Sequence, residues 1–490
     1  MPRTARQQHR LGTVATLLAI VCLTCPVAGQ EHRGSPGLHP VALDEYQGEY
    51  EYHGGTTLQI VAARGILWAV IEDAKYPLRP GGTDRFVNNR GDTIPFRRDA
   101  QERVSGFEEH GVFFRRLSAR IDPTAQAIVA AEARPAGPDG RAAPYVYATP
   151  LDLSDGLAVG AARDAGFNDA AISRLVNRVI DGTYPDVHAM LVYRRGRLVL
   201  EEYFYGFDRD RPHQMRSLTK SVVSALVGIG IDRGLLDGDR ELVLKRLPYK
   251  SYAHPDPRKD RLTLRDLLTM RSGLACNDWD DRSPGHENNV YRSDDWVKFV
   301  LDLPVAADSG TIGRYCSGNV LVAGRILERA AGRSLPDFAQ EHLFGPLGFR
   351  NVQWNFTLSS SNSTFATLYL RPRDMLKIGV VFLQHGRWAG RQLISRAWVE
   401  RSTANWTTIG DQGYGYYWWH QYANAQLPSG PRRVDMIVAT GNGGQKIYIV
   451  PSLDLIVVMT GGNYNGNSPA MGIMAGEILP ALLQESPAPR

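Results

Sequence analysis

From Leu43 to about Arg120, apolar and polar residues alternate along the chain. Tyr46-Gln-Gly-Glu-Tyr-Glu-Tyr52, Thr57-Leu-Gln-Ile-Val61, Gly65-Ile-Leu-Trp-Ala-Val-Ile71 and Gly111-Val-Phe-Phe-Arg-Arg-Leu117 keep a period near two, with clusters of Gly, Pro, Asn and Asp between them. That pattern predicts short strands joined by turns, hence a small all-β module, a barrel or half-barrel, over residues 42–125. No titratable cluster within it points to chemistry, so its expected role is to pack against or shield the rest. Residues 126–150, rich in Ala, Pro and Gly at their centre, predict a linker.

After Leu151 the period changes. Ala170–Ile180, Leu262–Met270 and Asn319–Ala330 have helical spacing, and the last helix is expected over Ala470–Leu483. His188–Phe204 predicts a hairpin turning at Arg195-Gly196, while Lys446–Val450 and Asp454–Met459 predict two strands joined at Pro451. Hairpins early and late, with helices between, predict an α+β domain over residues 151–490. Its single antiparallel sheet is built from both ends and flanked by helices.

Composition adds a boundary at the start of the chain. Residues 1–29 hold Arg3, Arg6 and Arg10 but no acid, then the apolar run Leu11–Leu23, then the small residues Val27-Ala28-Gly29. This predicts a cleaved signal peptide and a secreted or periplasmic protein. No later stretch resembles a membrane span. The chain has 56 basic and 51 acidic residues, and without the leader the net charge falls to +2. Such a balance argues against nucleic acid as a partner. No two histidines stand at metal-ligand spacing, and neither a nucleotide-binding motif nor a Gly-x-Ser-x-Gly elbow occurs. No metal or cofactor is therefore expected.

The candidate chemistry lies in Ser217-Leu-Thr-Lys220, which opens the helix-like run to Asp232. Residues three apart share a helix face, so the Lys220 amine can reach the Ser217 hydroxyl. A serine is a weak nucleophile until an adjacent base takes its proton, and a buried lysine can be that base. Such a pair needs a second proton carrier, an oxyanion hole and a strand edge for substrate. Gly313-Arg-Tyr-Cys-Ser-Gly-Asn319 offers a tyrosine before a helix. Ala439-Thr-Gly-Asn-Gly-Gly-Gln445 offers a glycine-rich strand end.

Together these segments resemble the three motifs of the penicillin-recognising serine hydrolases, which include class C β-lactamases, D-Ala-D-Ala peptidases and esterases. Met215–Asp232, Arg271-Ser-Gly-Leu274, Tyr315-Cys-Ser317 and Phe344-Gly-Pro-Leu-Gly348 are most similar to the 6-aminohexanoate-dimer hydrolase branch. The resemblance implies a β-lactamase/transpeptidase-like fold. It also implies a Ser217 nucleophile, Lys220 as its base and Tyr315 as proton relay. The backbone N–H groups of Ser217 and Asn442 would form the oxyanion hole. Ser317, Ala439, Thr440 and Gly441 would face the substrate, a small-molecule amide or ester.

Two departures matter. Ser317 stands where many relatives have asparagine. Ala439 stands where lactamases and peptidases carry the lysine or histidine facing a substrate carboxylate, so substrates without that carboxylate are expected to fit better. A class C β-lactamase or D-Ala-D-Ala carboxypeptidase remains an alternative, as does a non-catalytic receptor that keeps the pocket. Cys276 and Cys316, the two cysteines beyond the leader, lie in motif-bearing segments and are candidates for one disulfide. The acidic loop Asn277–Asp281 is expected to be solvated. Trp418, Trp419 and His420 are expected to pack a strand.

Overall fold

The structure, a computed structural model, describes residues 42–52, 56–137, 142–247, 249–354 and 368–483. The expected leader over residues 1–29 lies outside the described residues. Among these residues no helix is long and apolar enough to cross a membrane.

The alternating segment closes into an eight-stranded barrel. Its strands are β1 (Gly48–Glu51), β2 (Thr57–Ala63), β3 (Ile66–Ile71), β4 (Ala74–Gly82), β5 (Arg85–Val87), β6 (Thr93–Arg98), β7 (Val104–Glu109) and β8 (Val112–Ser118). Each pairs antiparallel with its sequence neighbour, and β1 returns to β8 through Tyr50 and Arg116. Closure removes the unpaired edges an open sheet would expose. The period-two pattern buries Tyr50, Leu58, Ile60, Phe86, Phe96 and Phe107.

The linker expected from residue 126 begins differently. Pro123–Ala130 form a helix, α1, capped by Asp122, whose carboxylate accepts the Thr124 N–H. Ala125 and Val129 pack on Val61 and Val70 of the barrel wall. Alanine is the best helix former, so an Ala-rich stretch need not be a tether.

The second part has the expected sheet-and-helix architecture. Beyond α2 (Asp169–Ile180), the sheet strands are β9 (Val187–Arg194), β10 (Arg197–Tyr203), β11 (Thr407–Ile409), β12 (Gln412–Tyr414), β13 (Trp419–Leu427), β14 (Gly430–Gly441), β15 (Gln445–Val450) and β16 (Leu455–Gly461). They are ordered β10-β9-β16-β15-β14-β13-β12-β11, so the early hairpin meets the late strands in one sheet. The β9–β10 turn falls at Arg195 and Gly196, both at positive φ, as a tight hairpin requires.

Three helices build the site side: α3 (Thr219–Asp232), α4 (Ser317–Ala331) and α5 (Pro372–Leu383). Every residue of α3 from Thr219 to Gly230 is buried, which makes it a central rather than an amphipathic helix. Helix α3 packs on α4, and α5 lies across β9, β15 and β16. Gly379 allows that approach, because a Cβ there would stand 2.9 Å from Ile456 Cγ2. Arg373 of α5 is fully buried and makes two 2.8 Å hydrogen bonds to the buried Glu201 of β10.

The terminal helix expected over Ala470–Leu483 is broken. A π turn at Met474–Ile478 separates Ala470–Ile473 from Leu479–Leu483. Pro480 cannot donate to the carbonyl one turn back, and the ladder widens just before it.

Barrel and sheet domain belong to one compact unit, Leu43–Arg490. Lys75 of β4 pairs with Asp186 at 3.1 Å. Asn89 Nδ2 donates to Tyr464 O at 3.0 Å. The Tyr369 hydroxyl donates to Glu72 in the β3–β4 turn.

Candidate active site

The chain enters α3 through a single 3-10 turn, Arg216–Leu218. Arg216 has φ +52°, a left-handed conformation that a non-glycine residue holds only when its surroundings impose it. Ser217 follows at once. One turn on, Lys220 is 2% exposed, and its Nζ lies 3.0 Å from Ser217 Oγ. Serine and lysine thus meet because the turn that holds Ser217 runs straight into the helix that holds Lys220.

Tyr315 comes from the other side of the site. Its ring centroid is 5.0 Å from Lys220 Nζ. It forms a three-ring cluster with Trp279, at 5.7 Å, and Trp419 of β13, at 5.8 Å, the two tryptophans themselves lying 6.2 Å apart. Cys316, the next residue, is joined to Cys276 by a disulfide. Trp418 is buried against Phe382 as strand packing, whereas Trp419 belongs to this aromatic stack.

The loop Asn277–Asp281 is only partly solvated. Trp279 is exposed, yet Asp278 turns inward, and its carboxylate accepts the Ser317 N–H at 2.6 Å and the Glu287 N–H at 3.0 Å. It thereby satisfies an orphan donor at the N-terminus of α4, where negative charge is favoured. The Ser317 hydroxyl donates to Glu287 Oε2 at 3.2 Å. Burial, and then the Glu287 charge, push the Asp278 carboxyl up, while the nearby Lys220 opposes them. Two carboxylates therefore stand beside the Ser217–Lys220–Tyr315 group. The cysteines hold the signal that could have found Asp278, since a residue two after Cys276 is brought close to Tyr315 once Cys276 meets Cys316.

The third segment closes the site. Strand β14 pairs with β13 only as far as Val438, opposite Trp419. Ala439, Thr440 and Gly441 run on, paired to β15 alone. Among the described residues their other edge has no ladder partner, the arrangement that lets an extended ligand add to a sheet. Gly441 abuts the nucleophile segment so closely that a Cβ would stand 2.2 Å from Met215 O. Asn442 follows the strand in the turn, its side chain locked by donating to Asn465 Oδ1 at 2.6 Å and accepting the Asn465 N–H at 2.9 Å.

A cation lies beside this triplet after all. Thr440 pairs across the hairpin with Lys446, whose amine donates to the Thr440 hydroxyl. Burial lowers the Lys446 pKa to about 8. The sequence holds the signal: Thr440 and Lys446 are equidistant from Gly443, the centre of the turn, so a two-strand register places them opposite each other.

The chain's relatives match this architecture. The beta-lactamase family model matches residues 180–472. The 6-aminohexanoate-dimer hydrolase of Paenarthrobacter ureafaciens is 25% identical over 319 residues, 59% of this chain and 76% of that protein. The lovastatin esterase of Penicillium rubens is 26% identical over 190 residues, 35% of this chain and 46% of that protein. Among solved structures, EstCE1, a hydrolase with promiscuous acyltransferase activity, superposes with a TM-score of 0.53 at 17% identity, covering 66% of this chain and 99% of its own. With the family model spanning more than half of its length, the chain belongs to the beta-lactamase family.

Proposed function

We propose that this protein is a serine hydrolase that cleaves an amide or ester through an acyl-enzyme on Ser217. Ser217 Oγ attacks the carbonyl carbon while its proton passes to Lys220 Nζ, acting as the base. The carbonyl oxygen becomes an oxyanion facing the backbone N–H groups of Ser217 and Asn442, where each preorganised donor contributes about 3 kcal/mol. Tyr315 relays the proton to the departing nitrogen or oxygen, and the C–N or C–O bond breaks. Water then attacks the ester, giving one proton back to Ser217 through the same groups, and the acid leaves.

The observation that carries this reading is the 3.0 Å Lys220–Ser217 contact, with the Tyr315 ring 5.0 Å from the same amine. The relatives' names support the reaction class, one a 6-aminohexanoate-dimer hydrolase and one a lovastatin esterase. A second reading, a β-lactamase or D-Ala-D-Ala carboxypeptidase, is favoured by the Lys446 amine at Thr440, a cation the motif itself lacks.

Labelling with a fluorophosphonate, followed by peptide mass spectrometry, is expected to modify Ser217. Ser217→Ala is expected to abolish both labelling and hydrolysis of p-nitrophenyl acetate. Undiminished turnover in that variant would end the nucleophile assignment. Rapid turnover of nitrocefin beside a poor ester rate would favour the second reading.

A further inference from the structure

The barrel is only half filled by its own side chains. At the end away from the β3–β4 and β5–β6 turns, Tyr46, Tyr50, Phe86 and Phe96 pack edge to face with centroids 5.0–6.0 Å apart and close the lumen. Toward the opposite end lies a cavity of about 480 Å³. Deep inside the barrel its wall is apolar, formed by Leu58, Ile60, Ala69, Leu78 and Ile94, while nearer the mouth Tyr52, Tyr76, Asn88 and Glu109 make it polar. Its mouth is shared with the hydrolase domain, where Arg216, Asn442 and Tyr464 line it.

Eight-stranded barrels are just wide enough to be filled by side chains or to hold one small ligand. A void of this size forgoes contacts that packing would supply, and its volume falls among those of small-molecule pockets. The mouth is also held in place. Tyr76 of β4 accepts a hydrogen bond from the Arg216 guanidinium, and its ring lies 5.4 Å from that of Tyr464. Arg216 directly precedes Ser217, and Asn442 directly follows the substrate-edge strand. Arg216 Nε is buried without a hydrogen-bond partner among the described residues, at the point where lumen and candidate site adjoin.

We propose that the barrel lumen is a substrate pocket. The protein takes esters or amides bearing one long apolar arm, which lies inside the barrel while the scissile carbonyl stays at Ser217. This rests on the Ser217 reading above and names the substrate class of that site.

The test uses the full chain, with two ester series: p-nitrophenyl acetate against octanoate, and methyl against octyl acetate. In one series the eight-carbon member is expected to have the higher kcat/KM. Ala69→Phe fills the lumen and is expected to cut that long-over-short ratio about tenfold, the loss from unburying roughly two methylenes. Ile71→Trp, at a half-buried lumen position near the mouth, provides a second variant should the first fail to fold. A folded variant with both ratios unchanged would overturn the proposal. Calorimetry of 1-octanol with Ser217→Ala protein separates the pocket from the chemistry. Binding is expected, and its disappearance in the Ser217→Ala/Ala69→Phe double variant supports the lumen; no binding to Ser217→Ala protein counts against it. Turnover that survives Ser217→Ala would sink the Ser217 reading alone.

Discussion

Lys446 gives its amine to the Thr440 hydroxyl while burial holds its pKa down to about 8. An unfolded lysine titrates near 10.4. Between about pH 8 and 10.4 the unfolded chain therefore binds a proton that the native protein has released, and stability rises with pH. Below pH 8 the full cost of the buried charge is present. Lys446→Met keeps most of the stem and removes the titration. Urea midpoints of the wild type relative to Lys446→Met are expected to climb over that window, by at most about 1.4 kcal/mol per pH unit. Parallel curves for the two proteins would show that the amine is not desolvated. The same residue shows what a motif can hide. Ala439 announces a missing cation, but the cation is six residues from Thr440, legible only through the register of a hairpin.

At the scale of elements, what the sequence revealed is what local period controls. The β9–β10 hairpin, the late strand pair and the Ser217–Lys220 helix depend on neighbours a few residues apart, and each is found where its pattern predicts. The sheet's order and the inward turn of Asp278 depend on partners far along the chain, which no window of residues contains. Arg373 is a case in point. It joins α5 to β10 through Glu201 and reaches Asp155 at 3.1 Å, with its own side chain 1% exposed. Nothing in the surrounding apolar pattern separates it from a surface arginine. Arg373→Met is expected to destabilise the protein by up to about 3–5 kcal/mol, since it leaves the buried Glu201 carboxylate only the Tyr203 hydroxyl and Arg209 at 3.9 Å. Arg373→Met combined with Glu201→Leu is expected to recover part of that loss, measurable by chemical denaturation. A cost no smaller in the double variant than in the single one would contradict the account.

Across the whole molecule, the barrel and the sheet domain meet near a buried pair of imidazoles. His188 Nδ1 and His213 Nε2 lie 2.9 Å apart, so one donates and the other accepts. Burial lowers the His213 pKa to about 4 and moves His188 in the same direction, with His213, Lys75 and Arg211 adding to the shift of His188. Unfolded histidines take up protons near pH 6.5. As pH falls from about 6.5 toward 4, the unfolded chain gains protons that the native one refuses, and stability drops. For His213 alone the loss approaches roughly 3 kcal/mol. Thermal melts from pH 7 to 4.5 are expected to show it, with a shallower slope for His213→Asn; equal slopes would remove the pair as the cause. Lys75 faces His188 and also binds Asp186, so the acid-sensitive region coincides with the seam between the two parts.

The bond between Cys276 and Cys316 closes a loop of chain with a sequence separation of 40 that contains Asp278, Trp279 and Glu287. Ser217 and Lys220 stand on one continuous turn and helix whose backbone lies outside that loop. Tyr315 and its flanking groups owe it their anchorage. The redox state of the surroundings therefore acts on the two halves of the site unequally: a reducing milieu leaves the nucleophile and its amine in register, while the phenol loses the covalent tether beside it.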